Sequence, residues 1–591
     1  MKATETSEII LNGISVSPGI CIGKAYLVDQ NGVDVIQKYA IEDSLVKDEV
    51  KRFKAAVKKS KDELRAIMEN TPKDFQLHSR ILEIQAALLK DKMLYGRTIE
   101  SIEKERVNAE WALKTVVSGI KTIFQNMDDP YLKERKTDIV HLSDRITRNL
   151  AGKDPVDIGK IDKRVILVAS DLSPADTSQI NLERIKGFVT EKGGKASHTG
   201  IIARTLEIPA VLGLDNATSL IHNDDIIIID GKSGMVIIHP SEETLFEYTE
   251  RNVEYGKRKA IINRKGRLPA ETADGLHVGV LGNIELSEEV VSVRSAGGEG
   301  VGLYRTEFAY MNRSSFPDEE ELFESYSDVV SVMAPRPVTI RTLDINGDKA
   351  LGPGSEITEI NPALGLRGIR YCLKRTDVFK TQLRAILRAA TLGPVKVMFP
   401  MVSTYTEVIE SKKILAEVAE SLEKDNIPCQ RDIKIGVLIE VPSAVIMADL
   451  LASEVDFFSI GTNDLIQYSF AIDRGNKDVL HLFQPLDPAV LRMLKHLADV
   501  ANDKGIKISV CGEMASYPIH IPILLGLGMD ELSMNPQSIP AVKSMIRSLK
   551  IEDVRRFVQS VLKQTSAIDV YKLLLDTYGD LLPDKVYIND L

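Results

Sequence analysis

Short apolar runs alternate with amphipathic helical segments through the second half of the chain. Repeated units of a buried strand followed by a helix are typical of a (β/α)8 barrel, in which parallel strands close on themselves. The pattern therefore predicts a TIM-type barrel over residues 270–591. We expect its strands around 277–282, 301–304, 338–341, 395–399, 435–439, 457–460, 507–511 and 531–534.

The first part of the chain carries helical periodicity behind a segment of strand character. Residues 9–28 contain short β-like runs, and apolar residues recur at helical spacing from 43 to 70. Further helical patterns follow at 75–92, 94–127 and 131–149. Because this stretch has no polar cluster suited to catalysis, we interpret residues 31–151 as a helical bundle that docks a protein. A plain bundle without a partner is the alternative.

After Gly152 the pattern changes to short strands alternating with helices, as at Val165–Val168 and Ile226–Ile229. We interpret residues 1–30 and 152–240 as one α/β domain into which the bundle is inserted. A charged helical segment at 241–269 has the character of a solvated linker, where we expect a hinge. The fold class is therefore a multidomain α/β protein: an α/β domain with an inserted helical bundle, followed by a barrel.

Composition narrows the class of protein. The formal net charge of −10 disfavours a nucleic-acid partner, which would select a basic surface. The first residues are polar and acidic, and no apolar run approaches about 18 residues, so we expect a cytoplasmic protein that does not insert into a membrane. The four cysteines lack metal or disulfide spacing, which fits a reducing compartment. They are Cys21, Cys372, Cys429 and Cys511.

A glycine-containing turn at 193–200 leads into an apolar stretch that has the character of a helix start, and His198 lies in it. Glycines let the backbone approach a phosphate, nearby hydroxyls can donate to it, and a helix N-terminus favours an anion. A neutral imidazole is also nucleophilic near neutral pH. His198 is therefore a candidate for phosphorylation, and a histidine that only caps or packs is the alternative.

Polar residues follow the predicted barrel strands at the end where barrel active sites lie. Guanidinium groups hold phosphate and carboxylate oxygens in a fork, and paired carboxylates suit Mg²⁺. Any one of these residues alone is more typical of a salt bridge, but several coincident strand ends favour a site for a small molecule that bears phosphate and carboxylate. The residues are Arg305, Arg341, Arg367, Arg474, Glu440, Asn463 and Asp464.

Six motifs in order resemble enzyme I of the bacterial phosphotransferase system, the family of phosphoenolpyruvate–protein phosphotransferases. The resemblance covers nearly the whole chain, and the segment from Asp456 to Arg474 is highly specific to enzymes that use phosphoenolpyruvate (PEP). The motifs are GISVSPG at 13–19, YLKER at 131–135, GLYRTEF at 302–308, NPALGLR at 361–367, FSIGTNDLIQY at 458–468 and DRGN at 473–476.

The resemblance implies that His198 accepts phosphate from PEP and passes it to the phosphocarrier protein HPr of sugar transport, which docks on the bundle. It implies PEP-binding roles for Arg305, Arg341, Arg367, Asn463, Asp464 and Arg474. It further implies that Glu440 and Asp464 hold Mg²⁺, and that the chain forms a homodimer through the barrel. Thr177 would support the histidine. Cys511, two residues before Glu513 in the sequence, would protonate the enolate carbon as a general acid, with Glu513 in a supporting role. An inert buried cysteine is the alternative.

The histidine turn departs from the family pattern at three positions. Lys195 stands where the family usually has Arg, Ala196 replaces a hydroxyl residue, and Gly200 replaces a small side chain. Lysine keeps the charge but loses the bidentate fork, so these changes bear on the rate or tightness of the histidine site. The C-terminal tail, 584–591, is assigned no role.

Two other classes compete with this interpretation. A dikinase such as pyruvate phosphate dikinase shares the histidine and barrel domains but carries a large nucleotide-binding domain, for which we find no room before Gly152 and no Gly-x-x-x-x-Gly-Lys-Ser/Thr loop. A non-catalytic regulatory relative would have lost charged barrel residues, yet every one is present.

Overall fold

A computed structural model describes residues 8–582 with gaps at 29–37, 71–88, 90–91, 126–129, 153–157, 178–179, 182, 195–196, 207, 312–314, 346–360, 475 and 477. The chain divides into two compact units, Met1–Lys257 and Arg258–Leu591. Most of the helix expected at 75–92 and all of the tail at 584–591 lie outside the described residues. The finer division into four parts stays a prediction.

The first unit contains an eight-stranded mixed sheet with the order β1-β8-β7-β3-β4-β5-β6-β2. Strands β3 to β6 run parallel, and the other pairs are antiparallel. The strands are β1 Ile9–Asn12, β2 Ile14–Ser17, β3 Ile20–Leu27, β4 Val165–Ala169, β5 Ile185–Thr190, β6 Ala210–Leu212, β7 Ile226–Asp230 and β8 Met235–Ile238.

The helices between Val46 and Leu150 form a bundle around a separate core that includes Phe53, Leu64 and Leu113. The pattern at 94–127 forms two helices instead of one, because Arg106 adopts a left-handed conformation (φ 52°) that ends the first. The bundle helices are α1 Val46–Asn70, α2 Arg97–Glu105, α3 Ala109–Gln125 and α4 Pro130–Leu150. Later in the chain follow α5 Pro174–Thr177, α6 His198–Thr205 and α7 Ala217–Leu220, and α8 Glu242–Gly266 covers the expected linker.

The second unit is a closed barrel of eight parallel strands. All eight strands lie within two residues of the predicted places, because each is a buried apolar run bounded by polar residues. They are β9 Gly279–Ile284, β10 Val301–Tyr304, β11 Val338–Arg341, β12 Val395–Phe399, β13 Lys434–Ile439, β14 Phe457–Ile460, β15 Lys507–Val510 and β16 Glu531–Met534.

Helices surround the barrel and pack apolar faces on the strands. Within the barrel, Leu303, Met398, Leu438 and Phe457 form a small buried cluster with Cys511, so that this cysteine lies on the packed interior. The helices are α9 Val290–Ser295, α10 Glu319–Met333, α11 Ile369–Lys374, α12 Thr376–Ala389, α13 Tyr405–Lys424, α14 Pro442–Ile446, α15 Ala448–Leu451, α16 Thr462–Phe470, α17 Pro488–Lys504, α18 Ile521–Leu527, α19 Ile539–Ser548, α20 Ile551–Val561 and α21 Ala567–Tyr578.

No helix in the described ranges is both long and apolar enough to cross a bilayer.

Candidate active site

The carboxyl ends of the parallel strands carry the polar residues that the sequence singled out. In a closed parallel barrel these ends open on one face, so residues from different strands meet there. Arg305 follows β10, Arg341 ends β11, Glu440 follows β13, Asp464 lies in the first turn of α16 after β14, and Cys511 follows β15.

Arginines and carboxylates alternate through direct ion pairs at this face. Arg341 donates from Nη2 to Oε1 of Glu307 at 2.9 Å, and its Nη1 lies 3.1 Å from Oδ2 of Asp344. Arg367 makes a bidentate pair with the same Asp344, from Nε to Oδ1 at 2.9 Å and from Nη2 to Oδ2 at 3.0 Å. Asp344 therefore holds two candidate substrate-binding arginines at once.

The alternation continues through Asp464. Its Oδ2 accepts from Nη2 of Arg367 at 3.0 Å, and its Oδ1 accepts from Nη2 of Arg474 at 2.7 Å. Arg367 also donates from Nη1 to the Tyr468 hydroxyl at 3.1 Å. We call the connected groups the charge chain; its members in order are Glu307, Arg341, Asp344, Arg367, Asp464 and Arg474.

Asp344 and Glu440 are both buried, but their neighbouring charges shift the two pKa values in opposite directions. Burial opposes ionisation of Asp344, yet Arg341 and Arg367 hold the pKa of its carboxyl below the ordinary value. For Glu440, burial raises the pKa well above its ordinary value, and Asp464 and Asp344 raise it further, although Arg341 and Arg367 oppose this. A buried carboxyl beside another carboxylate favours a nearby cation.

Glu440 is held in place by the backbone. Its Oε1 accepts from the N–H of Met401 at 2.7 Å, and a Cβ at Gly461 would lie 2.6 Å from its Oε2. A side chain at position 461 would therefore fill the space beside the second carboxylate oxygen.

Glu440 and Asp464 fit a divalent cation that also takes oxygens from substrate or water. Among the described residues, no group of three or more His, Cys, Asp or Glu side chains is placed to hold a metal ion. Mg²⁺ usually takes one or two protein carboxylates and completes its shell with other oxygens. The space beside Oε2 of Glu440, which a Cβ at Gly461 would fill, is the observation that supports such a site.

Cys511 is buried and fixed on two sides. Its thiol donates to the Ile460 carbonyl at 3.5 Å, and its own carbonyl accepts from the side-chain amide of Asn283 at 3.0 Å. Asn283 in turn accepts from the Ser533 hydroxyl at 2.6 Å. Burial raises the pKa of the thiol to about 11, with Glu440 raising it and Arg341 and Arg305 lowering it. The thiol is therefore protonated at neutral pH.

The other predicted barrel residues, Arg305, Asn463 and Glu513, make different kinds of contact near the strand ends. Arg305 forms an ion pair with Glu285. Asn463 accepts from the backbone N–H of Glu513 at 3.2 Å, which connects the loop after Cys511 to α16. Glu513 therefore contributes its backbone here, and its side chain is exposed.

In the first unit, α6 begins at His198 and is capped by Ser197. The Ser197 hydroxyl accepts from the N–H groups of Gly200 and Gly194, each at 3.2 Å, and donates to the Gly194 carbonyl at 2.8 Å. The predicted turn into a helix is therefore confirmed. The side chain of His198, together with Lys195 and Ala196, lies outside the described part of the chain.

The loop that follows strand β4 lies against the start of α6. Thr199 donates from Oγ1 to the Leu172 carbonyl at 3.2 Å, and α5 packs against α6. Thr177, in α5, is buried and donates from Oγ1 to the Ser173 carbonyl at 3.2 Å. Thr177 thus lies on the element next to the histidine helix.

Sequence reasoning missed Glu307, Asp344 and Tyr468 as members of the site. Glu307 and Asp344 each lie two or three residues beyond a predicted arginine, Arg305 or Arg341, and this spacing was the available signal. Tyr468 lies one helical turn after Asp464, so α16 presents both to Arg367.

Models of PEP-utilising enzymes match three parts of the chain. The N-terminal model matches residues 12–135, the mobile-domain model matches 161–234, and the PEP-binding-domain model matches 259–551. The PEP-binding match contains the charge chain, and the mobile-domain match contains the His198 helix. The fold and the site thus define an enzyme that uses PEP.

Comparison with similar proteins identifies the family within the class of PEP-utilising enzymes. The phosphoenolpyruvate-protein phosphotransferase of Bacillus sp. (strain S) is 42% identical over 97% of this chain and 99% of its own length. The protein of the same name from Bacillus subtilis (strain 168) is 44% identical over 96% and 99%. An NMR solution structure of Enzyme I (nEIt) is 37% identical, covers 42% of this chain and 99% of that chain, and has a TM-score of 0.37. The chain belongs to the phosphoenolpyruvate-protein phosphotransferase family and is a transferase.

Proposed function

We propose that this enzyme transfers the phosphoryl group of PEP to His198, releases pyruvate, and passes the group to a histidine of HPr in the sugar phosphotransferase system. The observation that carries the proposal is the charge chain at the carboxyl end of the barrel, because its arginines suit both anionic groups of PEP. The family membership and the match over nearly the full length of both chains support it.

The barrel binds and orients the donor in this proposal. Arg305, Arg341, Arg367 and Arg474 bind phosphate and carboxylate oxygens, and the amide of Asn463 adds a neutral contact. Since phosphoryl transfer needs little covalent participation by the protein, placement and stabilisation of charge account for most of the catalysis.

Glu440 and Asp464 would hold Mg²⁺. When bound, the ion neutralises charge that develops on phosphate and enolate oxygens. Asp464 holds two arginines in the structure, so binding of the ion would exchange part of that contact.

Cys511 completes the donor half-reaction. As the P–O bond breaks, its electron pair stays on the enolate oxygen, and pyruvate forms when carbon takes a proton from the thiol. The resulting thiolate then recovers a proton from solvent. The raised pKa keeps the thiol protonated before reaction.

His198 is the acceptor. A neutral ring nitrogen attacks phosphorus, and the N-terminus of α6 favours the phosphate that arrives. Ser197 keeps this turn in shape, and Thr177 supports the histidine from α5. The helical bundle would dock HPr, and a homodimer would form through the barrel.

The histidine has to serve both the donor in the barrel and the acceptor on the bundle. We therefore expect a hinge in the segment that contains α8. Cross-links that fix this segment should block one half-reaction and spare the other; survival of both would contradict a hinge.

The cytoplasmic location that we expect from the sequence also stays a prediction.

Incubation with PEP labelled on phosphorus tests the function. We expect acid-labile, base-stable label on the protein in the presence of Mg²⁺, and its transfer to added HPr. The His198→Ala protein is the control and should take up none. A requirement for ATP would favour a dikinase instead, and absence of label on a protein that binds PEP would favour a regulatory relative.

A further inference from the structure

One polar residue interrupts the buried face of α12, a helix on the outside of the barrel. Gln382 is fully buried and lies between Val378, Phe379, Leu383 and Ile386 on the apolar stripe of the helix. A buried amide is costly unless its donors and acceptor are satisfied. The position therefore needs an explanation beyond packing.

The amide of Gln382 is fully used. Its Oε1 accepts from the N–H of Leu343 at 2.9 Å. Its Nε2 donates to Oγ1 of Thr306 at 3.0 Å and to the hydroxyl of Tyr326 at 3.1 Å. Two donors and one acceptor thus meet three different segments.

Two of these segments carry candidate PEP-binding arginines. Thr306 directly follows Arg305 at the end of β10, and Leu343 lies two residues after Arg341 at the end of β11. Thr306 also donates from Oγ1 to the carbonyl of Arg341 at 3.0 Å. Gln382 therefore links the segments that carry the two arginines, through the side chain of Thr306 and the backbone of Leu343.

We propose that Gln382 is a positioning residue that fixes the spacing of Arg305 and Arg341 for the substrate; the proposal rests on the proposed function of these arginines in PEP binding. The third hydrogen bond goes to the hydroxyl of Tyr326 on α10, which also interacts with the side chain of Thr306. This bond belongs to the same buried network, but it does not link the segment that carries Arg305 to the segment that carries Arg341.

Tyr326 provides the matched control. Gln382→Met substitutes an apolar side chain of similar length and removes all three hydrogen bonds. Tyr326→Phe removes the third, together with the contact between the Tyr326 hydroxyl and Thr306, but leaves the bonds of Gln382 to Leu343 and Thr306. We expect both variants to melt at a lower temperature. Only Gln382→Met should weaken PEP binding to the full-length protein, raising the Kd by about tenfold or more, because small displacements of binding groups are costly. Tyr326→Phe should stay within about twofold.

The outcomes are separable. If Gln382→Met binds PEP as the parent does, or if Tyr326→Phe weakens binding equally, Gln382 has only a structural role. If Gln382→Met does not fold, Thr306→Val removes the link between the two strand ends at a different residue and should raise the Kd in the same way; unchanged binding would overturn the proposal. Failure of the parent itself to bind PEP would instead refute the proposed function.

A second measurement uses the half-reaction that does not need the barrel. Exchange of phosphate between His198 and phosphorylated HPr should be unchanged in Gln382→Met, whereas transfer from PEP should fall. Equal loss of both would show a general defect and would contradict a positioning role.

Discussion

Asp344 and Arg367 form a bidentate ion pair at the carboxyl end of the barrel, with N···O distances of 2.9 and 3.0 Å. The other contact of Asp344, to Arg341 at 3.1 Å, makes this one carboxylate a support for two arginines. The side chain of Asp344 is almost completely buried. Removing its charge would leave two guanidinium groups without their shared partner, which is far costlier than losing an exposed pair.

We therefore predict that Asp344→Asn lowers the stability of the barrel by about 3 kcal/mol or more at neutral pH and raises the KM for PEP. Because the pKa of Asp344 is lowered in the folded protein, its contribution is present above the unfolded pKa of about 4 and is lost as the pH falls through the folded value. The stability difference between parent and variant should shrink below about pH 4. Thermal unfolding across pH measures this.

Asp377→Asn is the matched control for Asp344→Asn. Asp377 also forms a bidentate pair, with Arg375 at 3.0 and 2.8 Å, but it is exposed. It should change stability and KM little. A similar loss in both variants would mean that burial of Asp344 does not matter.

The carboxylates proposed to hold Mg²⁺ are expected to act in only one half-reaction. Glu440→Gln preserves an oxygen that can accept from Met401, yet it should reduce Mg²⁺-dependent transfer from PEP by about a hundredfold or more, by removing a charged ligand. Exchange between phosphorylated His198 and HPr should be nearly unchanged. Rapid-quench assays of each half-reaction test this, and equal loss of both would indicate a structural role.

His198→Ala should give a folded protein that binds PEP with the parent's affinity but accepts no phosphate. The reason is that the proposed donor site is built from barrel residues alone, such as Arg341, Arg367 and Asp464. Calorimetric titration with PEP and a labelling assay on the same preparation give the two readouts. Acid-labile, base-stable label on the variant would place the phosphorylated residue elsewhere.

Cys511→Ala should slow turnover and release enolpyruvate, which ketonises in solution without stereochemical control at the new methyl group. Because burial raises the pKa of the thiol to about 11, the ratio of parent to variant rates should stay constant from about pH 6 to about pH 9. Chiral-methyl analysis of pyruvate from stereospecifically labelled PEP is the measurement. Protonation from one face in the variant, as in the parent, would exclude Cys511 as the donor.

The barrel was predictable because its strands are buried on both faces and therefore have continuous apolar runs. The mixed sheet of the first unit was harder to predict from the sequence. β2, β6 and β8 have only three or four residues and lack the regular strand–helix repeat that identifies barrel strands of the same length, and β5 begins with the weakly apolar Ile185-Lys186-Gly187. Their places depend on pairing with strands distant in sequence.

The candidate site was predictable where chemistry and strand ends coincide, as for Arg341, Glu440 and Asp464. The supporting residues were harder to find. Gln382 lies on a helix far from any motif, and its only signal is a polar residue at an apolar position of the stripe. That signal identifies a buried amide but does not identify Thr306 and Leu343 as its partners, since the strand ends meet only in the folded barrel.

The pairing of charges along the face also bears on how fast PEP arrives. The three arginines and three carboxylates of the charge chain cancel in formal charge, and Arg305 is paired with Glu285. In the protein without Mg²⁺, a distant anion therefore meets nearly balanced charges rather than a positive field, and the overall charge of −10 adds no attraction. We expect the association rate constant for PEP to change by less than about threefold between low and physiological salt. Capture of the substrate is thus governed by short-range contacts formed after encounter.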